Sequence, residues 1–223
     1  MFGENKITKK QEDFTGTIDI VEIFQTIQGE GIFSGRPCVF IRFQGCCLKC
    51  KFCDTDFDRG IPMSLHDILD EVSCLMPPEC DQPLVVITGG EPFLQPGIVE
   101  LTEKLISIGV HVQIETSGVH WQKGFDKWEG DSYFEEMFTV MCSPKTGKIN
   151  AGIEPWIIAY KYVILAGQVG EDGLPNVSPE SGKQKILARP PARFAGPVYV
   201  MPCDAHDEDQ NKRNMEATIA SCM

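Results

Sequence analysis

No stretch of eighteen or more apolar residues occurs in this chain. The longest candidate, residues 156–167, is interrupted by Lys161, so a membrane-spanning helix is not expected. Basic charge is also short: 20 Lys and Arg stand against 32 Asp and Glu, giving a net charge of −12. A protein that grips nucleic-acid phosphates needs a basic face, and this balance argues against one. Residues 1–6, MFGENK, lack the apolar core of an export signal, which points to a soluble cytoplasmic protein. The 4 histidines (His66, His111, His120, His206) are scattered, and the one cysteine-rich loop has no second Cys-x2-Cys pair to accompany it. A zinc site built from two knuckles therefore lacks half its ligands. Internal repeats and low-complexity tracts are absent as well.

What is present is 223 residues of ordinary composition, 42% hydrophobic and 23% charged, enough for one domain with a substantial core. Residues 1–16 are polar and expected to be loose; residues 17–223 are expected to form a single domain. Thr17–Ile27 alternates and is rich in β-branched residues, so it reads as a strand running into the turn Gln28-Gly29-Glu30-Gly31. Pro37–Phe43 reads as a buried strand. Residues 64–75 read as a helix capped by Ser64, with Leu65, Ile68, Leu69 and Val72 on one stripe and Pro77-Pro78 beyond its end. The continuous apolar run 84–87 is a strand covered on both faces, and residues 96–108 form the following helix, closed by Gly109. Further strands are expected at 110–115, 138–141, 156–165 and 198–201. A last helix is expected at 207–222, with Met215, Ile219 and Cys222 sharing a face, and residues 167–191 read as a surface excursion. Strands alternating with helices, each strand handing over to a polar loop, define an α/β fold. A parallel sheet or partial (β/α) barrel results, with its site at the C-terminal ends of the parallel strands.

Ten cysteines in a chain without an export signal favour metal or redox chemistry over disulfides. Cys38 and Cys142 lie in apolar runs and read as core residues. Cys46, Cys47, Cys50 and Cys53 crowd one loop after the second strand. The spacing Cys46-x3-Cys50-x2-Cys53 suits a tripod on three corners of a four-iron, four-sulfur cluster, leaving one iron open. Zinc on Cys47, Cys50 and Cys53 is the rival, although four thiolates on so short a loop make a cramped tetrahedron.

A three-cysteine loop after a strand, followed after the next parallel strand by Thr88-Gly89-Gly90-Glu91-Pro92, resembles the radical S-adenosylmethionine (SAM) enzymes. The ordered set Phe24-Gln25-Thr26-Ile27-Gln28-Gly29-Glu30-Gly31, Phe40-Ile41-Arg42, Cys53-Asp54-Thr55, Glu115-Thr116-Ser117-Gly118 and Ser143-Pro144-Lys145 is similar, more narrowly, to the 7-carboxy-7-deazaguanine synthase family. The resemblance implies a shortened partial barrel of the radical SAM type. It implies a carbon–nitrogen lyase of queuosine and 7-deazapurine biosynthesis that converts 6-carboxy-5,6,7,8-tetrahydropterin to 7-carboxy-7-deazaguanine with loss of ammonia. A radical cleaved from SAM starts that reaction, and the cofactor is regenerated. It also implies that Cys46, Cys50 and Cys53 hold a [4Fe-4S] cluster and that Thr55 contacts Mg2+. Phe52, Asp54, Gly90, Glu91, Ser143, Pro144, Lys145, Met201, Pro202, Cys203 and Asp204 would bind SAM. Ile27, Gln28, Gly29, Glu30, Arg42, Thr88 and Glu115 would bind the pterin, with Arg42 on its carboxylate. The chemistry rests with cluster and cofactor rather than with a further catalytic side chain. A flavodoxin or ferredoxin electron donor and a homodimer follow by the same resemblance.

Plainer readings stand beside these. Glu30 could close its turn, Glu115 could cap a strand end, Asp54-Thr55 could close the cysteine loop, and Arg42 could be an ion-pair partner at the rim. Lys49 and Lys51 suit either a solvated loop or an acidic electron donor. Cys47 stands where the family usually has a non-thiol residue, Met201 where it commonly has Gln, and the chain stops where relatives continue toward a His-Lys pair. The rival functions are a radical SAM activase of a glycyl-radical protein and a zinc-bearing binding module.

Overall fold

A computed structural model describes residues 6–11, 13–53, 55–77, 81–179, 182–183 and 185–223. Pro78, one of the two prolines expected beyond the first helix, and Asp54 fall outside them. The strands are β1 (Thr17–Ile27), β2 (Pro37–Phe43), β3 (Ile61–Ser64), β4 (Leu84–Gly89), β5 (His111–Thr116), β6 (Phe138–Cys142), β7 (Ile157–Ile164) and β8 (Val198–Pro202). They form one sheet in the order β3-β1-β2-β4-β5-β6-β7-β8. From β2 to β8 every neighbouring pair is parallel, while β1 runs antiparallel to both β2 and β3. This is the expected α/β architecture with an antiparallel ribbon on one edge. β3 was not expected: four residues carrying Pro62 are too short for a periodic signal.

One sheet face is closed by the main core. Val39, Ile41 and Phe43 of β2, Val85 and Ile87 of β4, and Val112 and Ile114 of β5 meet α1 (Leu65–Leu75) and α2 (Ile98–Ser107) there. Ser64 caps α1 in a reciprocal box with Asp67, and Ile68 and Val72 anchor its stripe. Gly109 (φ 82°) ends α2 in the left-handed conformation. Beyond β5 the helical layer thins to α3 (Ser132–Met137), and an aromatic cluster takes over. Phe125 stacks on Phe138 at 4.9 Å, Trp128 on Phe134 at 4.8 Å, and Trp121 on Trp156 at 6.0 Å. Large rings cover the sheet there where a long helix would otherwise lie.

The opposite face is the concave one. At the N-terminal ends of its strands it is apolar, with Cys38, Leu84 and Val86 packed against Phe33 and Phe40. Burial pushes the Cys38 thiol up to about 11. His111 stands beside this layer, edge-on to Phe33 at 4.6 Å and 3.3 Å from the Thr139 hydroxyl. Burial, with help from the Arg36 charge, lowers its pKa from 6.5 to about 4.

Two expectations need correction. Part of the segment read as loose is tied down. Thr8 N–H donates to the Cys46 carbonyl at 2.7 Å and Gln11 N–H to Leu94 at 3.0 Å, because the loops they cover need backbone partners. The last helix, α4 (Glu208–Ser221), packs through Asn214 and Thr218 rather than through its apolar residues. Met215 and Ile219 are 49% and 56% exposed. Asn214 is fully buried: its Oδ1 accepts from Ala166 N–H at 2.9 Å and from Gln210 Nε2 at 2.9 Å, and its Nδ2 donates to the Cys203 carbonyl at 2.8 Å. Loop backbones facing α4 require a polar partner, and this overrides the apolar periodicity.

Two outcomes follow. Asn214→Ala should cost about 2–3 kcal/mol by urea denaturation, because it orphans buried groups, while Met215→Ala stays within about 0.5 kcal/mol. For His111 the depressed folded pKa means that the unfolded chain binds the extra proton. Stability is therefore full above about pH 6.5 and falls toward pH 4 by about 1.4 kcal/mol per pH unit from this group. Denaturation at pH 7 and pH 5 in the wild type and in His111→Gln should show that slope reduced in the variant.

Candidate active site

The turn after β4 is built into the cysteine loop. Gly89 (φ 122°) has room for no side chain, since a Cβ would lie 2.2 Å from the Phe43 carbonyl oxygen. A Cβ on Gly90 would lie 1.9 Å from the Gly45 carbonyl oxygen. Gly90 N–H donates to Phe43 at 3.2 Å and Glu91 N–H to Gly45 at 2.9 Å. Two glycines are needed because the backbones of neighbouring strand ends touch here.

Glu91 itself is fully buried. Its carboxylate accepts from the Thr116 hydroxyl at 2.7 Å, Ser117 N–H at 3.0 Å, the Ser117 hydroxyl and Phe93 N–H at 3.3 Å. It lies beneath the glycine turn, outside the cavity lining, and ties β4 to the loop after β5.

Above these turns lies a cavity of about 550 Å3, within the range of small-molecule sites. Of the residues anticipated from sequence, it is lined by Gln28, Gly29, Glu30, Arg42, Cys46, Cys50, Phe52, Cys53, Thr55, Thr88, Gly90, Glu115, Ser143, Lys145, Met201, Pro202, Cys203 and Asp204. Strand register explains part of this convergence: Arg42 pairs with Thr88, and Val163 with Met201. Ile27 is 63% exposed at the end of β1 and is not in the lining. Pro144 faces a small neighbouring cleft instead.

Cys46, Cys50 and Cys53 all face the cavity, whereas Cys47 does not. Cys47 hydrogen-bonds to the Cys46 sulfur, which holds Cys46 below the usual thiol range and pushes Cys47 up. Leu48 N–H also points at the Cys46 sulfur, at 3.4 Å. Among the described residues no three His, Cys, Asp or Glu side chains converge on a single-ion position. Thiolates that each take a different iron of a cubic cluster have no need to converge, and three sulfurs on one apolar-backed loop fit that group.

Two charged groups flank the cysteines. Arg42 pairs with Glu22 at 2.6 Å and donates through Nη1 to the Thr55 hydroxyl at 3.3 Å. Lys145 curls back on the Ser143 carbonyl at 3.1 Å and stands 5.9 Å over the Phe52 ring. Burial, reinforced by the nearby Lys161 charge, lowers its pKa.

At the far wall is a polar network. Gln28, itself buried, donates to Glu115 Oε1 at 3.1 Å and accepts from Glu30 N–H at 3.1 Å. Lys161 of β7 pairs with Glu30 and stands 3.7 Å from Glu115 Oε2. In the sequence Lys161 shows only as a break in an apolar run. Its one available signal was an isolated charge at an inward position of a strand.

A cavity at the C-terminal ends of parallel strands, with three cysteines on one rim and a glycine turn against them, is the arrangement of a radical SAM protein. Residues 40–138 match the sequence model of the Radical SAM superfamily. The chain belongs to the 7-carboxy-7-deazaguanine synthase family. It is 41% identical to the 7-carboxy-7-deazaguanine synthase of Rhodospirillum rubrum, covering 92% of this chain and 83% of that one. It is 35% identical to that of Rickettsia prowazekii, over 98% and 87%. The fold is similar to the crystal structure of QueE from Escherichia coli, with a TM-score of 0.58, 24% identity, and coverage of 92% of this chain and 90% of that one.

Gly90→Ala should force the cysteine loop and the glycine turn apart, because backbone rather than a yielding side chain meets the new methyl. A loss of about 1–3 kcal/mol in denaturation is expected, with iron uptake on anaerobic reconstitution well below about four per chain. Gly29→Ala, which meets open space at an ordinary φ, should stay within about 0.5 kcal/mol.

Proposed function

We propose that this chain converts 6-carboxy-5,6,7,8-tetrahydropterin to 7-carboxy-7-deazaguanine with release of ammonia, as a radical SAM lyase of queuosine biosynthesis. The observation that carries the reading is that one cavity is shared by the three cysteines, the glycine turn and the Gln28–Glu115 network. A chain built for zinc alone, or to engage a protein-sized partner, has no use for that shared enclosure. When bound, the cluster and SAM supply the carbon-centred radical that begins the ring contraction.

Within this reading the chain's own residues bind and orient. Cys46, Cys50 and Cys53 hold the cluster. Gly90, Ser143, Lys145 and the segment 201–204 line the cofactor side, where Asn214 supports the Cys203 carbonyl. Glu91 keeps the glycine turn in place from below. Arg42 supplies a planar two-pronged donor for the substrate carboxylate. Thr55 offers one hydroxyl oxygen, and a magnesium ion there would complete its shell with water and substrate oxygens, as that ion prefers. Thr88, Gln28 and Glu115 would meet the ring.

A cytoplasmic setting, a homodimer and a flavodoxin or ferredoxin reductant belong to the same proposal. No helix among the described residues is long and apolar enough to cross a membrane.

Anaerobic reconstitution followed by iron, sulfide and zinc analysis is the first test, and incubation with the tetrahydropterin acid, SAM and reductant is the second. The expected result is about four irons and four sulfides per chain and many product molecules per SAM. Zinc filling the loop without cluster formation would sink the radical chemistry. A cluster with no turnover would sink the substrate assignment alone.

A further inference from the structure

The Glu30–Lys161 pair joins the turn after β1 to β7 across the cavity, linking residues 131 positions apart. Both side chains line the cavity, and Lys161 is only 14% exposed. An ammonium group so withdrawn from water is costly unless something there uses it.

The two carboxylates of the network are not equivalent. Glu115 is engaged on both oxygens: Oε1 accepts from Gln28 at 3.1 Å and Gln113 at 3.3 Å, and Oε2 faces Lys161 at 3.7 Å. Glu30 meets Lys161 through Oε2, and its Oε1 accepts no hydrogen bond among the described residues. Where the turn after β1 meets β7, the cavity wall therefore presents an open carboxylate oxygen of Glu30 beside the Lys161 ammonium group.

That is the complement of a pyrimidinone edge, where a ring N3–H donor sits next to a C4=O acceptor. A 4-amino ring shows the reverse, an unprotonated N3 next to an NH2 donor. Arg42 and Thr55 stand on the β2 side of the cavity, with β4, β5 and β6 between them and β7. A pterin held there by its 6-carboxylate would point its pyrimidine edge away from them, toward β7.

We infer that Lys161, paired with Glu30, reads the N3–H/C4=O edge and makes the site select 4-oxo over 4-amino pteridines. The inference rests on the pterin reading of the cavity proposed above. Lys161 is in this view a specificity-determining residue that touches the ring at the end opposite the carboxylate, and it takes no part in the radical step.

The experiment uses the reconstituted holoenzyme with SAM and two fully oxidised, unreactive probes, pterin-6-carboxylate and 2,4-diaminopteridine-6-carboxylate. Their fluorescence reports Kd directly. The wild type should favour the 4-oxo acid by about 10- to 100-fold, the range of a charge-assisted hydrogen-bond pair. Lys161→Met and Glu30→Gln should each reduce that preference to within about threefold, chiefly by weakening the 4-oxo acid, with Lys161→Arg retaining part of it. Should Lys161→Met fail to fold, Glu30→Gln alone decides, since an amide can turn either a donor or an acceptor to the ring. A folded variant that keeps the wild-type preference overturns the inference. Equal binding of both probes to the wild type overturns it while leaving the pterin reading intact; binding of neither removes both.

Discussion

The backbone-to-backbone contact between the glycine turn of β4 and the cysteine loop of β2 is the constraint on which the site depends. Gly89 and Gly90 lie so close to Phe43 and Gly45 that no side chain fits between them. Two N–H groups of the turn are satisfied by carbonyls of the loop. The cysteines are thereby registered against the sheet by main-chain hydrogen bonds, which are less compliant than side-chain packing. Glu91 extends the lock sideways to Thr116 and Ser117, so the ends of β2, β4 and β5 are tied together.

Charge inside the cavity is arranged by the same economy of pairing. Arg42 is held by Glu22, and Lys161 by Glu30 with Glu115 nearby, while Lys145 leans on the Ser143 carbonyl. Positive groups stand on both the β2 and β7 walls, and the carboxylates of the network come from the turn after β1 and from β5. A ligand with a carboxylate at one end and a neutral hydrogen-bonding edge at the other matches that polarity. The protein's overall acidity has no part in this; a net charge of −12 is spread over the surface, while the lining is locally balanced.

Around this site the scaffold is uneven. Two amphipathic helices cover the β1–β5 side of the sheet, aromatic stacking covers the β6 side, and α4 supports β8 through the buried amide of Asn214. The polar attachment of α4 leaves Met215 and Ile219 facing outward. The same attachment fixes the Cys203 carbonyl, so the helix serves the cavity rim more than the core.

Much of this was legible in the sequence because its signals are local. Strand β1, strand β2, the Ser64 cap and the α2 stripe each declare themselves within a dozen residues through period, capping and turn chemistry. The cysteine spacing and the Gly-Gly turn are likewise local, and together they marked the rim that the cavity occupies. Tertiary structure alone decided the rest. Glu91 went under the turn because Thr116 and Ser117, at the end of another strand, offer it three hydrogen bonds beside the local one from Phe93 N–H. Asn214 displaced Met215 from the interface because loop backbone had to be satisfied. Lys161 became a cavity wall because its partners come from the β1 turn and β5. Local pattern specifies which residues share a face, but which groups a face meets depends on other parts of the chain, up to 131 residues away for Lys161 and Glu30.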